Sequence, residues 1–318
     1  MEGFPGCKGI GFPSRVNPTM NNTPNQANNN SGHFEKAATN LVPLTVWLCS
    51  DTTTKEIGND TTSKKAPLTC VRHRTAPGWE LARHLIAYCT RPGDVVVEAY
   101  PSSEAVLVSA WEADRRAVGC LPHFPLAQHI GKRIGELLPA EDLHELSLRA
   151  CRPDQMNRAL ADLKGTVGLV IAEPPPFEKG GRVPIWTDQA CPACRADFWG
   201  VTEERLGSMI TASWQVLRPG GVLAVITTAR HGADGRLVDP APRIVRHAAA
   251  LGFTYSQHVI ALRVPIEGDG LAVQFAAEDF AHLRDTRNGS IPAAVSVHAD
   301  VCLFTKPATV GGQKGDAR

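Results

Sequence analysis

Residues 94–106 read DVVVEAYPSSEAV, and this stretch decides the fold. Three consecutive valines between an RPGD turn and a Pro-Ser-Ser turn predict a short, fully buried strand. EAVLVSAWEAD at 104–114 then predicts a helix. A strand that turns tightly into a helix head leaves free backbone N–H groups pointing at whatever lies above. Loops of this kind that cradle a nucleotide-like ligand carry glycines, which let ligand and backbone approach closely. This loop carries none.

The same alternation extends outward on both sides. GWELARHLIAYC at 78–89 is an amphipathic helix, RRAVGC at 115–120 a second strand, and FPLAQHIGKRIGELL at 124–138 a helix. GTVGLVIAEPPP at 165–176 is a third turn-to-strand unit. ERLGSMITASWQVL at 204–217 is a helix, followed by the RPGG turn at 218–221 and the strand VLAVITT at 222–228. PRIVRHAAALGF is a further helix ending near Gly252, and YSQHVIALRV and VSVHADVCLF are two late strands. Short strands fed by helices predict a doubly wound α/β domain with a mainly parallel sheet, its late strands forming an antiparallel edge. Ligands of such sheets bind beyond the C-terminal strand ends, which singles out the loops after Val97, Gly119, Ala172 and Thr228. The organisation expected is a polar tail at 1–40 and one domain at 41–306, followed by a polar tail at 307–318. That domain carries a polar loop at 51–65 and a substrate-facing excursion at 178–200.

The 318 residues carry a formal net charge of +1, so no general field draws the chain to nucleic acid or to a charged membrane. Nine cysteines, scattered and odd in number, argue for a reduced, cytoplasmic setting rather than a disulfide framework. No apolar run is long enough for a membrane span, and the first residues lack the pattern of a secretory signal.

Three loops bear on chemistry. In the first, Glu98 offers a carboxylate to a ligand's amino group, and Ser102 and Ser103 offer hydroxyls. The alternative is a plain connecting turn with Ser103 capping the helix. The second loop, Cys120-Leu121-Pro122, lacks the acid that holds ribose hydroxyls in many cofactor-binding α/β domains. In the third, Glu173 is followed by Pro174, Pro175 and Pro176 and then by Phe177. A rigid carbonyl beside a carboxylate can grip an exocyclic amine, and an aromatic ring can stack on a flat base. Trp186, Phe198 and Trp199 share the following excursion with Lys179, Arg182 and Arg195. Its CPAC at 191–194 has no second ligand pair nearby, so no metal is predicted. GxSxG, HExxH and P-loop motifs are absent.

PGWELARHLIAYCTRPGDVVVEAY, RRAVGC, VGLVIAEPPPF, LRPGGVLAVITTARH and VSVHADVCLF follow one another in a familiar order. The chain resembles S-adenosylmethionine-dependent DNA methylases that modify N6 of adenine or N4 of cytosine. More closely, it is similar to an actinobacterial branch grouped with tRNA guanine-N2 methyltransferase-like proteins. The resemblance spans roughly residues 44–305. It implies a Rossmann-like class I methyltransferase fold, S-adenosylmethionine as cofactor, no metal, and DNA or RNA as partner. By the same resemblance Glu98, Tyr100, Ser102, Ser103 and Cys120 fall at cofactor-binding positions, and Glu173, Pro174, Pro175 and Phe177 at catalytic ones. The chain departs from the family pattern where Ser102 and Glu104 replace two glycines, and where Cys120 or Leu121 replaces the ribose acid. Serine resists positive φ, and Glu104 brings a second carboxylate close to the ligand's own. Two readings follow: a methyltransferase acting on an exocyclic amine of a nucleic-acid base, or a non-catalytic relative that binds or regulates. A small-molecule methyltransferase is a third, which the Pro-Pro loop disfavours.

Overall fold

A computed structural model describes residues 45–50, 77–122, 124–174, 202–231, 237–271 and 297–308. In chain order the principal elements are β1 (Val46–Leu48), α1 (Trp79–Cys89), β2 (Val95–Glu98), α2 (Ala105–Glu112), β3 (Arg116–Cys120) and α3 (Phe124–Leu137). They continue with β4 (Leu146–Arg149), α4 (Met156–Ala159), β5 (Val167–Ala172), α5 (Glu203–Val216) and β6 (Leu217–Thr227). After a small hairpin of β7 (Arg230–His231) and β8 (Leu237–Val238) come α6 (Ala241–Ala250) and β9 (Thr254–Leu262). A second small hairpin, β10 (Ile266–Glu267) and β11 (Gly270–Leu271), precedes β12 (His298–Thr305).

Eight strands form one sheet in the order β1-β9-β12-β6-β5-β2-β3-β4. Only β12 runs antiparallel to its neighbours, β6 and β9. The expected antiparallel pair thus lies toward one edge, with β1 added in parallel beyond β9. This is a doubly wound, mainly parallel sheet of the Rossmann-like class I methyltransferase type. The chain winds outward from β2 through β3 to β4, then returns to build β5 and β6 on the other side of β2. The winding reverses between β2 and β5, so the crevice above that pair is where the fold places a ligand.

Alternation along β2 divides the core into two layers. Val96 packs with Leu81, Leu85 and Ile86 of α1, Leu107 of α2 and Ile130 of α3. Val95 and Val97 face the opposite layer, with Met156 of α4, Met209 and Ile210 of α5 and Ile244 of α6. Each valine buried this way contributes about 1.5–3 kcal/mol. The LRPGG turn survives as an excursion within β6: Val167 pairs with Leu217 and Leu169 with Val222, stepping over the four residues between. Gly220 takes φ 76° there, a left-handed conformation that glycine adopts without strain. Its N–H donates to the Lys306 carbonyl at 2.7 Å. The Lys306 ammonium donates to the carbonyls of Trp214 and Leu217 at 2.7 and 2.8 Å, closing the C-terminal end of α5. The sequence reading missed β4, whose four residues are all half-buried and show no alternation.

No helix among the described residues is long and apolar enough to cross a membrane.

Candidate functional site

The strands carry their last residues to a single rim. Glu98 ends β2, and its Cα partners are Gly119 on β3 and Ile171 on β5. Side chains of paired residues point to the same face, and so do those two apart along a strand. Glu98 and Glu173 therefore flank the winding reversal on one face, the face covered by α1, α2 and α3. Glu98 is 1% exposed and Glu173 7%.

The surroundings treat the two carboxyls differently. Arg263, just past β9, donates from Nη2 to Glu173 Oε1 at 3.0 Å, reaching over the ends of β12 and β6. Glu173 Oε2 is buried with no hydrogen-bond partner. Glu104, at the head of α2 and 5% exposed, is met by Arg133 Nε of α3 at 3.3 Å. Arg133 also reaches Glu136 at 3.0 Å. Among the described residues Glu98 has no cation, and neither of its oxygens has a hydrogen-bond partner. Loss of water on burial pushes its carboxyl well above the ordinary carboxylate range, and the charges of Glu173 and Glu104 push it further. A protonated carboxyl is a donor through one oxygen and an acceptor through the other. The sequence reading foresaw a carboxylate at this position; in the fold, burial and the neighbouring carboxylates favour its protonated form.

The remaining loop residues are placed as follows. Ser102 is buried. Ser103 Oγ accepts from the Ala105 N–H at 3.3 Å, but the residue at the cap position is Glu104, one place later than the sequence reading expected, and its side chain makes no capping hydrogen bond. Tyr100 is half-buried against the second core layer. Burial raises its hydroxyl above the usual range, and Asp154 adds to this while Arg205 and Arg152 oppose it. Cys120, fully buried, points away from Glu98 into that same layer and meets Cys151. The thiol–thiol hydrogen bond and burial hold Cys120 well above the ordinary thiol range, while the same bond draws Cys151 below it. Gly119, not Cys120, stands beside Glu98, and a Cβ there would lie 3.1 Å from Pro101 Cγ and 2.8 Å from Leu148 Cδ2. The loop over the crevice thus rests directly on the β3 backbone.

Pro174 is half-buried behind Glu173. Pro175 and Phe177 lie outside the described residues, as do Pro176, Trp186 and the CPAC cysteines. Sequence reasoning missed the two arginines that distinguish the acids. Arg133 sits one turn from Glu136 on an amphipathic helix, a weak surface-charge signal, and Arg263 gives no signal at all at the end of its strand.

Neither a protein-family model nor a curated protein matches the chain. Solved structures with a similar course include TrmN from Thermus thermophilus, at 14% identity, covering 74% of this chain and 51% of that one, with a TM-score of 0.46. The chain spans about half of TrmN's length. Geranyl diphosphate C-methyltransferase from Streptomyces coelicolor A3(2) is similar at 14% identity, with coverages of 71% and 76% and a TM-score of 0.43. A putative rRNA-methylase from Clostridium thermocellum is similar at 13% identity, with coverages of 74% and 99% and a TM-score of 0.42. The functional reading rests on the chain's own residues.

Proposed function

We propose that the chain is an S-adenosylmethionine-dependent methyltransferase that acts on an exocyclic amine of a nucleic-acid base. One observation carries this reading. Two buried carboxyls, Glu98 and Glu173, flank the winding reversal on one face, and both keep buried oxygens without partners among the described residues. Unpartnered buried oxygens are destabilising unless a ligand supplies the missing donors. Glu98 suits the cationic, amine-bearing end of the cofactor, so the residues present fit that group. When bound, S-adenosylmethionine supplies an electrophilic methyl group.

The chain's own residues do the rest. Glu173 Oε2 accepts a hydrogen bond from the target amine, and the rigid Pro174 carbonyl accepts the second, turning the nitrogen lone pair toward the crevice. Arg263 fixes the Glu173 carboxylate through its other oxygen, so its orientation is set before substrate arrives. Phe177 is the ring that the resemblance assigns to stack on the base, which must leave a duplex to reach it. DNA is the proposed partner, with RNA the alternative, and the reducing cytoplasm suits the buried free thiols.

A second reading has its own observation. Buried Glu104, paired with the partly exposed Arg133, stands at the head of α2, where the free amides of the helix would otherwise meet an anionic ligand group. This supports a non-catalytic binding module with a filled cradle. Calorimetric titration of the full chain with S-adenosylmethionine, with and without single-stranded DNA, separates the two. Saturable binding at one site supports the enzyme. Absence of heat at about a hundred times a typical micromolar Kd, in both conditions, refutes it. Ser102→Gly combined with Glu104→Gly is expected to raise affinity by reopening the cradle, and lowered affinity would show the present loop to be adapted to its ligand.

A further inference from the structure

The crevice contains an unbalanced set of charges. Three carboxyls face one another there: Glu98 from β2, Glu173 from the β5 exit and Glu104 from the head of α2. Arg263 from the β9 exit takes Glu173 and Arg133 from α3 takes Glu104, at 3.0 and 3.3 Å. Among the described residues these are the charged groups around Glu98. The next strand contributes the Cys120 thiol, whose titration Glu98 also influences. With all five charged groups ionised the cluster is one positive charge short, and the deficit falls on Glu98. That residue is 1% exposed and, among the described residues, has no donor for either oxygen. Water cannot balance a charge so placed, so either a proton sits on Glu98 or a cation must enter.

This inference rests on the cofactor reading above. The methionine end of S-adenosylmethionine carries a sulfonium, an ammonium and a carboxylate, and is a net cation. Its demethylated product has a neutral thioether in place of the sulfonium, and its methionine end carries no net charge. We propose that Glu98 reads the charge of the bound ligand, releasing a proton to balance the sulfonium form and keeping that proton beneath the neutral thioether product.

The step balances simply. The Glu98 O–H bond breaks, the proton passes to solvent as the sulfonium form binds, and the carboxylate left behind faces the net cation. Once the methyl group has left, the positive charge is gone, and Glu98 recovers a proton from solvent. Product is then held by one charge interaction fewer than substrate. Glu98 in this role is a specificity residue: it favours the loaded over the spent cofactor, and the preference grows with pH while Glu98 in the empty protein stays protonated. The raised titration of Glu98 in the empty crevice agrees with this placement.

Calorimetry on the full chain tests it. S-adenosylmethionine and S-adenosylhomocysteine are titrated separately, each in two buffers of different ionisation enthalpy, so that the protons exchanged can be counted. Both ligands carry the same amine and adenine, and the titrations are run at mildly acidic pH, where both amines are fully ammonium although the nearby sulfonium lowers the pKa of one of them. Binding of the sulfonium is expected to release about one proton more than binding of the thioether, and the ratio of the two affinities to rise about tenfold per pH unit. Glu98→Gln is expected to bind the sulfonium form more weakly and to abolish both differences. Should that variant not fold, the wild-type proton counts decide alone. Equal proton counts for the two ligands, or a difference that persists in Glu98→Gln, overturn the proposal and leave the cofactor reading intact. No binding of either ligand overturns both.

Discussion

Glu98→Gln isolates what burial of one acid does to the fold. The carboxyl is 1% exposed, lies beside Glu173 and Glu104, and titrates well above its ordinary value of 4.5. The folded chain therefore holds a proton that the unfolded chain gives up as pH rises past that value. Where the folded state binds more protons than the unfolded, stability falls with rising pH. Between the unfolded and the folded pKa the slope is about 1.4 kcal/mol per pH unit, so burying Glu98 weakens the fold progressively as pH rises through that window. The contribution is fully present below the unfolded pKa and is lost as pH climbs through the folded one. Glutamine keeps the size of the protonated acid and cannot ionise. The assay is urea unfolding of both proteins, without ligand, at a series of pH values from acid to neutral. Near the reference pKa the two should agree within about 1 kcal/mol, the scale of one exchanged hydrogen bond. As pH rises above it, the variant should gain on the wild type by about 1.4 kcal/mol per pH unit until the folded pKa is passed. Parallel profiles, with a constant gap at every pH, would refute the reasoning, because Glu98 would then not be the group that titrates differently in the two states.

Three further perturbations test the frame around that acid. Arg263→Met leaves Glu173 buried without its cation and should destabilise by about 2–3 kcal/mol, the low end for a broken buried pair because the Arg263 side chain is 24% exposed. Adding Glu173→Gln should restore most of the loss in urea unfolding; no recovery would mean the pair is not coupled. Gly119→Ala places a methyl group 2.8 Å from Leu148 Cδ2 and 3.1 Å from Pro101 Cγ, which should destabilise by about 1–3 kcal/mol and displace the loop over the crevice, measured as weakened cofactor binding. Lys306→Met removes two charge-assisted bonds from the end of α5, together with a cation 5.0 Å from the Trp214 ring centre. A loss of about 1–2 kcal/mol in thermal or urea unfolding is expected, and an unchanged midpoint would show that solvent satisfies those carbonyls equally well.

The division between what the sequence discloses and what it conceals follows the range of the interactions involved. Val95–Val97 between two turns, the LRPGG turn and five amphipathic helices are local patterns, each written within a dozen residues, and they place the sheet and its winding correctly. Glu98 and Glu173 were legible as candidate positions because each ends a buried strand. Their chemical states were not, because those depend on partners 29, 90 and more residues away: Arg133 against Glu104 and Arg263 against Glu173. Cys120 shows the same limit on a smaller scale. Its position in the sequence suggested a cofactor contact, yet its meeting with Cys151 depends on the pairing of Cys120 with Arg149, and so on β4, a strand too short and too evenly half-buried to be read. The absence of glycines from this loop takes on a different meaning once Arg133 is known to neutralise Glu104. Glu104 has its own counter-charge, and the charge left unanswered among the described residues belongs to Glu98, at the place where a positively charged ligand would answer it.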